Sequence, residues 1–184
     1  LSFDTTGASF SPNHIDRGTL AMLAALSRKD ALGAKLLDLG CGYGVVGIYA
    51  AKLIGEHNVY MSDVDPTCVE LAKRNALLNG VGGATVILSD GFRDIHEKDF
   101  TLILANPPYQ ADFAIPKHFI EKGFNRLTIG GAMMMVTKRK LWYKNKFIAI
   151  FGGVGITEVD GYNVFYAEKR NSQYANAKIN RKQK

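Results

Sequence analysis

Asn106, Pro107, Pro108 and Tyr109 stand directly behind the apolar run Leu102 to Ala105. Two consecutive prolines fix φ and carry no amide hydrogen, so the turn is stiff and its carbonyls and the Asn106 side chain can point into a site. Such a turn can take up the two hydrogens of an exocyclic amino group, one at the Asn106 side-chain oxygen and one at the Pro107 carbonyl, while a flat substrate stacks on Tyr109. An amino group on a planar ring is a poor nucleophile because its lone pair is delocalised into the ring. Holding both hydrogens aims the nitrogen by positioning and electrostatics rather than by a strong base. Asn106, Pro107, Pro108 and Tyr109 are therefore the candidate catalytic residues.

A second constellation, "DLGCGYGVVG" from Asp38 to Gly47, holds two glycine patterns at once. Read from Gly42 it is G-x-G-x-x-G, the opening of a nicotinamide-dinucleotide site. Read from Gly40 it is G-x-G-x-G behind an acid. In either reading the glycines let backbone amides approach a ligand at a helix N-terminus. Asp38 separates the two, because a nicotinamide fingerprint keeps its first strand apolar up to the glycines. A carboxylate beside the loop suits a cationic ligand, and S-adenosylmethionine carries an ammonium and a sulfonium. Asp63 ends the next apolar run, nineteen positions after Gly44, where such sheets place an acid on ribose hydroxyls. Strand-end geometry favours it over Asp65. Asp90, in "SDG", can accept from an adenine amino group or serve only as a turn residue. Cys41, Val64 and Gly91 adjoin these positions. With Asp38, Gly40, Gly42, Gly44, Asp63, Asp90 and Asn106 they make up the candidate cofactor set.

Apolar runs bounded by Gly, Asp or Pro alternate with helical stretches, which predicts an α/β domain with a mostly parallel sheet. Strands are expected over 35–39, 58–62, 85–88, 102–105 and 132–136, and helices over 45–54 and 66–78. In the second helix Val69, Leu71, Ala72, Ala76 and Leu78 can share the buried side while Glu70, Lys73, Arg74 and Asn79 stay in water. Two short strands near 156–159 and 164–168, joined by "DGY", must be antiparallel, since a parallel crossover needs a dozen or more residues. Five parallel strands and a hairpin are not the six-stranded dinucleotide fold.

The chain has 184 residues, 47% of them hydrophobic, which predicts one domain. Its parts are an N-terminal cofactor-covering segment and helix over 1–34, a catalytic core over 35–170 and a basic tail over 171–184. No run approaches the ~18 apolar residues of a membrane span and "LSFDTTGASF" lacks the order of a signal peptide. A soluble, cytoplasmic protein is expected. Leu1 opens the chain without Met, at a position that reads as strand, as in a fragment missing an N-terminal piece. Cys41 and Cys68 read as buried reduced thiols. His14, His57, His96 and His118 show no ligand or triad spacing, so no metal is assigned. Net charge is +6 with a pI near 9.3, and basic residues gather in "TKRKLWYKNK" and in the tail. That balance favours a polyanion. Lys138, Arg139, Lys140 and Trp142 are the candidate substrate contacts, with Tyr143 interleaved, for phosphates and a stacked base; a charged helix with Leu141 and Trp142 in the core is the competing reading.

Together these segments resemble a class I S-adenosylmethionine-dependent methyltransferase over nearly the whole chain. "FSPNHIDRGTLAML", "LLDLGCGYGVVG", "LSDGF", "NPPY" and "GYNVFYAEK" resemble more narrowly the small methyltransferase (MTS) family, which includes ribosomal RNA small-subunit methyltransferases acting on guanine N2. The resemblance implies a Rossmann-like, seven-stranded, mostly parallel sheet whose last strand is antiparallel. It implies that Asp38, Gly40, Gly42 and Gly44 hold the methionine end of the cofactor, Asp63 the ribose, Asp90 the adenine, and Asn106 to Tyr109 the target amino group. It also makes Phe10, Asp16 and Gly18 secondary candidates, in a stretch that packs over the cofactor. RNA, as ribosomal RNA or an assembling small subunit, is the implied partner. Guanine-N2 members commonly carry Phe after the two prolines. Tyr109 is shared with adenine-N6 enzymes and with glutamine methyltransferases, and a non-catalytic S-adenosylmethionine-binding module or a nicotinamide oxidoreductase are further alternatives.

Overall fold

A computed structural model describes residues 1–6, 14–26, 33–108 and 112–176. In chain order the elements are α1 (Arg17–Ala25), β1 (Leu36–Leu39), α2 (Val45–Ile54), β2 (Val59–Asp63), α3 (Pro66–Leu78), β3 (Thr85–Leu88), β4 (Phe100–Ala105), α4 (Ala114–Arg126), β5 (Leu127–Thr137), α5 (Leu141–Phe151), β6 (Gly155–Val159) and β7 (Tyr162–Glu168). All seven strands form one sheet in the order β3-β2-β1-β4-β5-β7-β6. Every pairing from β3 through β5 is parallel, and β7 runs antiparallel to both β5 and β6. The expected seven-stranded α/β sheet with an antiparallel last strand is therefore present. Its hairpin turns at Asp160 and Gly161, both with positive φ, the backbone twist that Asp-Gly supplies in a two-residue turn.

Helices cover both faces, so the central strands are apolar on both sides. Within β5, Met134 and Val136 join the core under α1 and α2, while Met133 and Met135 join the one under α4 and α5. β5 begins at Leu127 rather than Ala132, because Ile129 and Gly130 in its first turn of strand are exposed and break the pattern. The helix α4, not read from the sequence, carries Pro116 and Gly123 and so has weak intrinsic propensity. Pro116 sits in the first turn, where no helical N–H is needed, and Phe119, Ile120 and Phe124 bury its inner face. In α3 the buried face is Val69, Leu71, Ala72, Asn75 and Ala76; Leu78 is exposed instead.

Asn75 explains that exchange. Its Nδ2 donates to the carbonyls of Tyr43 and Asp4, both at 2.9 Å, and its Oδ1 accepts from Asp4 N at 2.7 Å. Asn79, one turn on, makes the same two-way pairing with Ser2. Residues 1–6 are thus a strap tied along α3, not the strand that Leu1 suggested. Asn75→Ala leaves the Tyr43 carbonyl buried without a partner and releases the strap. The expected loss is ~2–4 kcal/mol, a fall of roughly 5–10 °C in thermal midpoint for a chain of this size. A fall below ~2 °C in a calorimetric scan would show that water replaces the amide fully.

Candidate active site

The carboxyl ends of β1, β2 and β4 open on one cavity of about 1000 Å³. Of the residues singled out above, Asp38, Gly40, Cys41, Gly42, Asp63, Val64, Asp90, Gly91, Asn106, Pro107 and Pro108 line it. Gly44 stands behind the wall. It caps α2 with φ +96, and a Cβ there would meet Ile48 Cδ1 at 3.0 Å and the Ala72 backbone at 3.3 Å. Tyr109 and Phe10 lie outside the described residues, as do positions 177–184 of the basic tail.

The glycine loop is built by hydrogen bonds to its neighbours. Gly40 and Cys41 both donate to the Ser62 carbonyl. Gly42 N donates to Asp63 Oδ2 and Gly47 N, in the first turn of α2, to Asp38 Oδ2, each at 2.8 Å. A Cβ on Gly47 would fall 2.3 Å from Met61 Cγ, so only glycine lets α2 come this close to β2. These contacts speak against a dinucleotide. Two amides that a pyrophosphate would need are already held by carboxylates, and its charge would lie against Asp38 and Asp63.

Asp38 is 2% exposed. Burial pushes its carboxyl up to about 7, aided by the charge of Asp63 and opposed by the Gly47 hydrogen bond. Among the described residues no cation pairs with Asp38, and a cationic ligand would supply the countercharge its ionised form needs. The Cys41 thiol is pushed well above its usual range by burial and then by Asp38 and Asp63, and Cys68 rises to about 11 by burial first. Cys41 is buried as expected and Cys68 only half-buried. Neither is a thiolate near neutral pH.

Asp63 and Asp65 are told apart by what they hold. Asp65 caps α3 through Thr67 N, whereas Asp63, at the strand end, binds the amides of Gly42 and Asp65. Asp90 is exposed and 3.3 Å from Arg93, a pairing that contributes little in water. Gly91 has φ +58, and a Cβ on it would fall 2.8 Å from His118 Nε2, so the α4 side chain closes against this end of the cavity.

Asn106 has the most constrained geometry. Its Nδ2 donates to Asp16 Oδ2 at 2.8 Å and to Thr19 Oγ1 at 3.0 Å, both from the start of α1. Its Oδ1 is buried with no hydrogen-bond partner among the described residues, in a side chain that lines the cavity. Asp16 and Thr19 line the cavity too, while Gly18 is buried inside α1. Thr19, His118 and Lys122 were not foreseen. The two from α4 carried no signal because that helix was not recognised.

Lys138, Arg139, Lys140 and Trp142 do not line the cavity. Trp142 stacks on Phe113 at 4.4 Å between centroids, and Arg139 lies 4.9 Å over the same ring. Phe113 directly precedes Ala114, a lining residue, so the patch adjoins the cavity mouth. Lys138 covers Tyr162, and Lys140 approaches Glu158 at 4.0 Å. Two details differ from expectation. Tyr143 is core, stacked on Phe165, and Leu141 is exposed rather than buried. Among the described residues no group of three His, Cys, Asp or Glu could hold a metal ion, and no helix is long and apolar enough to cross a membrane.

The family model for the methyltransferase small domain matches residues 1–166. The chain belongs to this family. Among curated relatives, the ribosomal RNA small subunit methyltransferase C of Haemophilus ducreyi is 32% identical over 165 residues, covering 87% of this chain and 50% of the relative. An uncharacterized protein of Bacillus subtilis, YbxB, is 28% identical over 174 residues, covering 92% of this chain and 86% of its own. Among solved structures, the T. thermophilus 16S rRNA N2 methyltransferase RsmC, in complex with AdoMet and guanosine, superposes with a TM-score of 0.80 at 27% identity over 88% of this chain and 45% of that one. This small-domain chain thus spans about half the length of the methyltransferase C relatives.

Proposed function

We propose that this chain transfers a methyl group from S-adenosylmethionine to an exocyclic amino group of RNA, guanine N2 of 16S ribosomal RNA. The observation that carries the reading is the buried Oδ1 of Asn106, which has no partner among the described residues and can accept an N–H in a cavity that also holds the buried carboxyl of Asp38.

The residues present fit the cofactor. Asp38 offers its ammonium a countercharge, Gly40 and Gly42 leave room for its methionine end, Asp63 can take ribose hydroxyls and Asp90 the adenine amino group, with Cys41, Val64 and Gly91 along the wall. S-adenosylmethionine, when bound, supplies a methyl on a cationic sulfur. Asn106 Oδ1 accepts one hydrogen of the target amine and the Pro107 carbonyl the other, which turns the nitrogen lone pair toward that methyl. Pro107 and Pro108 keep the turn stiff, and Tyr109 is the stacking partner proposed for the base. Lys138, Arg139 and Lys140 supply phosphate contacts beside the mouth, with Trp142 offering the ring face that Phe113 leaves open. The target base must be unpaired or flipped to enter. The relatives' names and the guanosine complex of RsmC favour guanine over adenine, and ribosomal RNA as substrate makes the cytoplasm its place of work.

The test is label transfer from methyl-tritiated S-adenosylmethionine into ribosomal RNA, small subunits and a protein extract, all from a strain lacking the gene. Counts in RNA or subunits, released as N2-methylguanosine and absent with Asn106→Ala, are expected. N6-methyladenosine would change the base, and counts confined to protein would replace the RNA reading with the glutamine one.

A further inference from the structure

We infer that Asp16 is a positioning residue that decides which atom of the Asn106 amide meets the substrate. The inference rests on the amino-methylation reading, but it begins from contacts that hold without any ligand. An asparagine amide presents an acceptor and a donor that exchange places when the group turns over. Its neighbours at the start of α1 are not equivalent in selecting between the two. The Thr19 hydroxyl, 3.0 Å away, can donate or accept and so tolerates either orientation. The Asp16 carboxylate, 2.8 Å away, can only accept. Turning the amide over would set its oxygen against Asp16 Oδ2, so the carboxylate holds the NH2 group toward α1 and the oxygen away from it.

Asp16 is itself fixed. The same Oδ2 accepts from Thr19 N at 2.9 Å as the N-cap of α1, so one oxygen both begins the helix and orients the amide. The carboxylate also polarises the amide it binds, leaving more negative charge on Oδ1 than a neutral partner would. Asn106 lies ninety positions downstream. A segment that the family resemblance marks only as packing over the cofactor is thereby joined to the reacting end of the proposed site.

The variants separate the cap from the orientation. Asp16→Ser keeps a good N-cap with a side chain too short to reach Asn106, and Asp16→Asn keeps an acceptor oxygen at full length. In the ligand-free protein, the two side-chain amide hydrogens of Asn106 are expected to be protected from exchange by NMR in wild type and Asp16→Asn but not in Asp16→Ser. In turnover, Asp16→Ser is expected to lower kcat by about 10- to 100-fold, with cofactor Kd within about threefold and thermal midpoint within ~2 °C of wild type. Asp16→Asn should recover kcat to within about fivefold. Unchanged kcat in Asp16→Ser, equal loss in both variants, or unaltered Asn106 protection in Asp16→Ser would overturn the inference. Amide protection as expected, with no methyl transfer by wild type to any amino acceptor, would support the positioning and sink the reading of the reaction.

Discussion

Replacing Asn106 by alanine is expected to lower kcat by about a thousandfold while cofactor Kd changes by less than about threefold. The asymmetry follows from where its bonds go. Both amide hydrogens are spent on Asp16 and Thr19, so the side chain has only Oδ1 to offer, and Oδ1 is an acceptor that a substrate N–H can satisfy. Charge builds on that N–H as the nitrogen attacks, so the bond strengthens toward the transition state and its loss appears in kcat. Asn106→Asp is expected to keep more of the rate than Asn106→Ala. Its second oxygen would stand at the place of Nδ2, against Asp16 Oδ2, where two carboxylates cannot both ionise, so the pair holds one proton between them and leaves Oδ1 an acceptor. Single-turnover methyl transfer measured beside equilibrium cofactor binding decides the matter. Equal loss of both quantities in Asn106→Ala would remove the role given to Oδ1.

Much of the fold was legible because its central strands bury both faces and its apolar runs are bounded by Gly, Asp or Pro. β3, α2 and α3 lie where their apolar spacing put them, and the antiparallel hairpin followed from its short link alone. The failures have a common cause. α4 contains Pro116 and Gly123, and β5 carries exposed Ile129 and Gly130 two residues after its start, so tertiary contacts rather than local pattern hold both. Asn75 was unreadable for a different reason. A buried amide on an otherwise apolar helix face looks like a surface residue until the strap over 1–6 is seen to cover it.

The site was legible where chemistry is carried by residues close in sequence. The acid and glycines of the loop, the acid ending β2 and the Asn-Pro-Pro turn converge because parallel strands all deliver their carboxyl ends to one edge. Contacts made across long separations were not legible. Nothing in "HIDRGT" shows that Asp16 reaches Asn106, and nothing in "KRKLW" shows that Phe113 takes a face of Trp142. The basic segment reads as one patch, yet part of it is spent inside the protein, with Tyr143 in the core and Lys146 paired with Glu121.

Substituting Asp38 by asparagine is expected to weaken S-adenosylmethionine binding on the order of a hundredfold at pH 7.5 and yet stabilise the ligand-free protein there. The folded carboxyl keeps its proton up to about pH 7, against 3.8 for the ordinary group. Between those values the folded state binds a proton that the unfolded chain has lost, so stability falls as pH rises through the window. The full shift corresponds to on the order of 4 kcal/mol. Asparagine removes the charge and keeps an acceptor for Gly47 N, although its new NH2 needs a partner. The net gain in thermal midpoint at pH 7.5 is therefore expected to be roughly 2–6 °C. Binding has the opposite dependence, because a cation favours the ionised carboxylate and drives the proton off. Wild-type affinity should fall about 10- to 30-fold from pH 7.5 to 5.5, where an α-ammonium stays protonated. In Asp38→Asn that component vanishes, which separates it from other groups titrating at the cavity rim. Calorimetric titrations in two buffers of different ionisation enthalpy count the proton released. Wild-type affinity independent of pH, or a variant less stable than wild type at pH 7.5, would mean that Asp38 is not the group waiting for the cation.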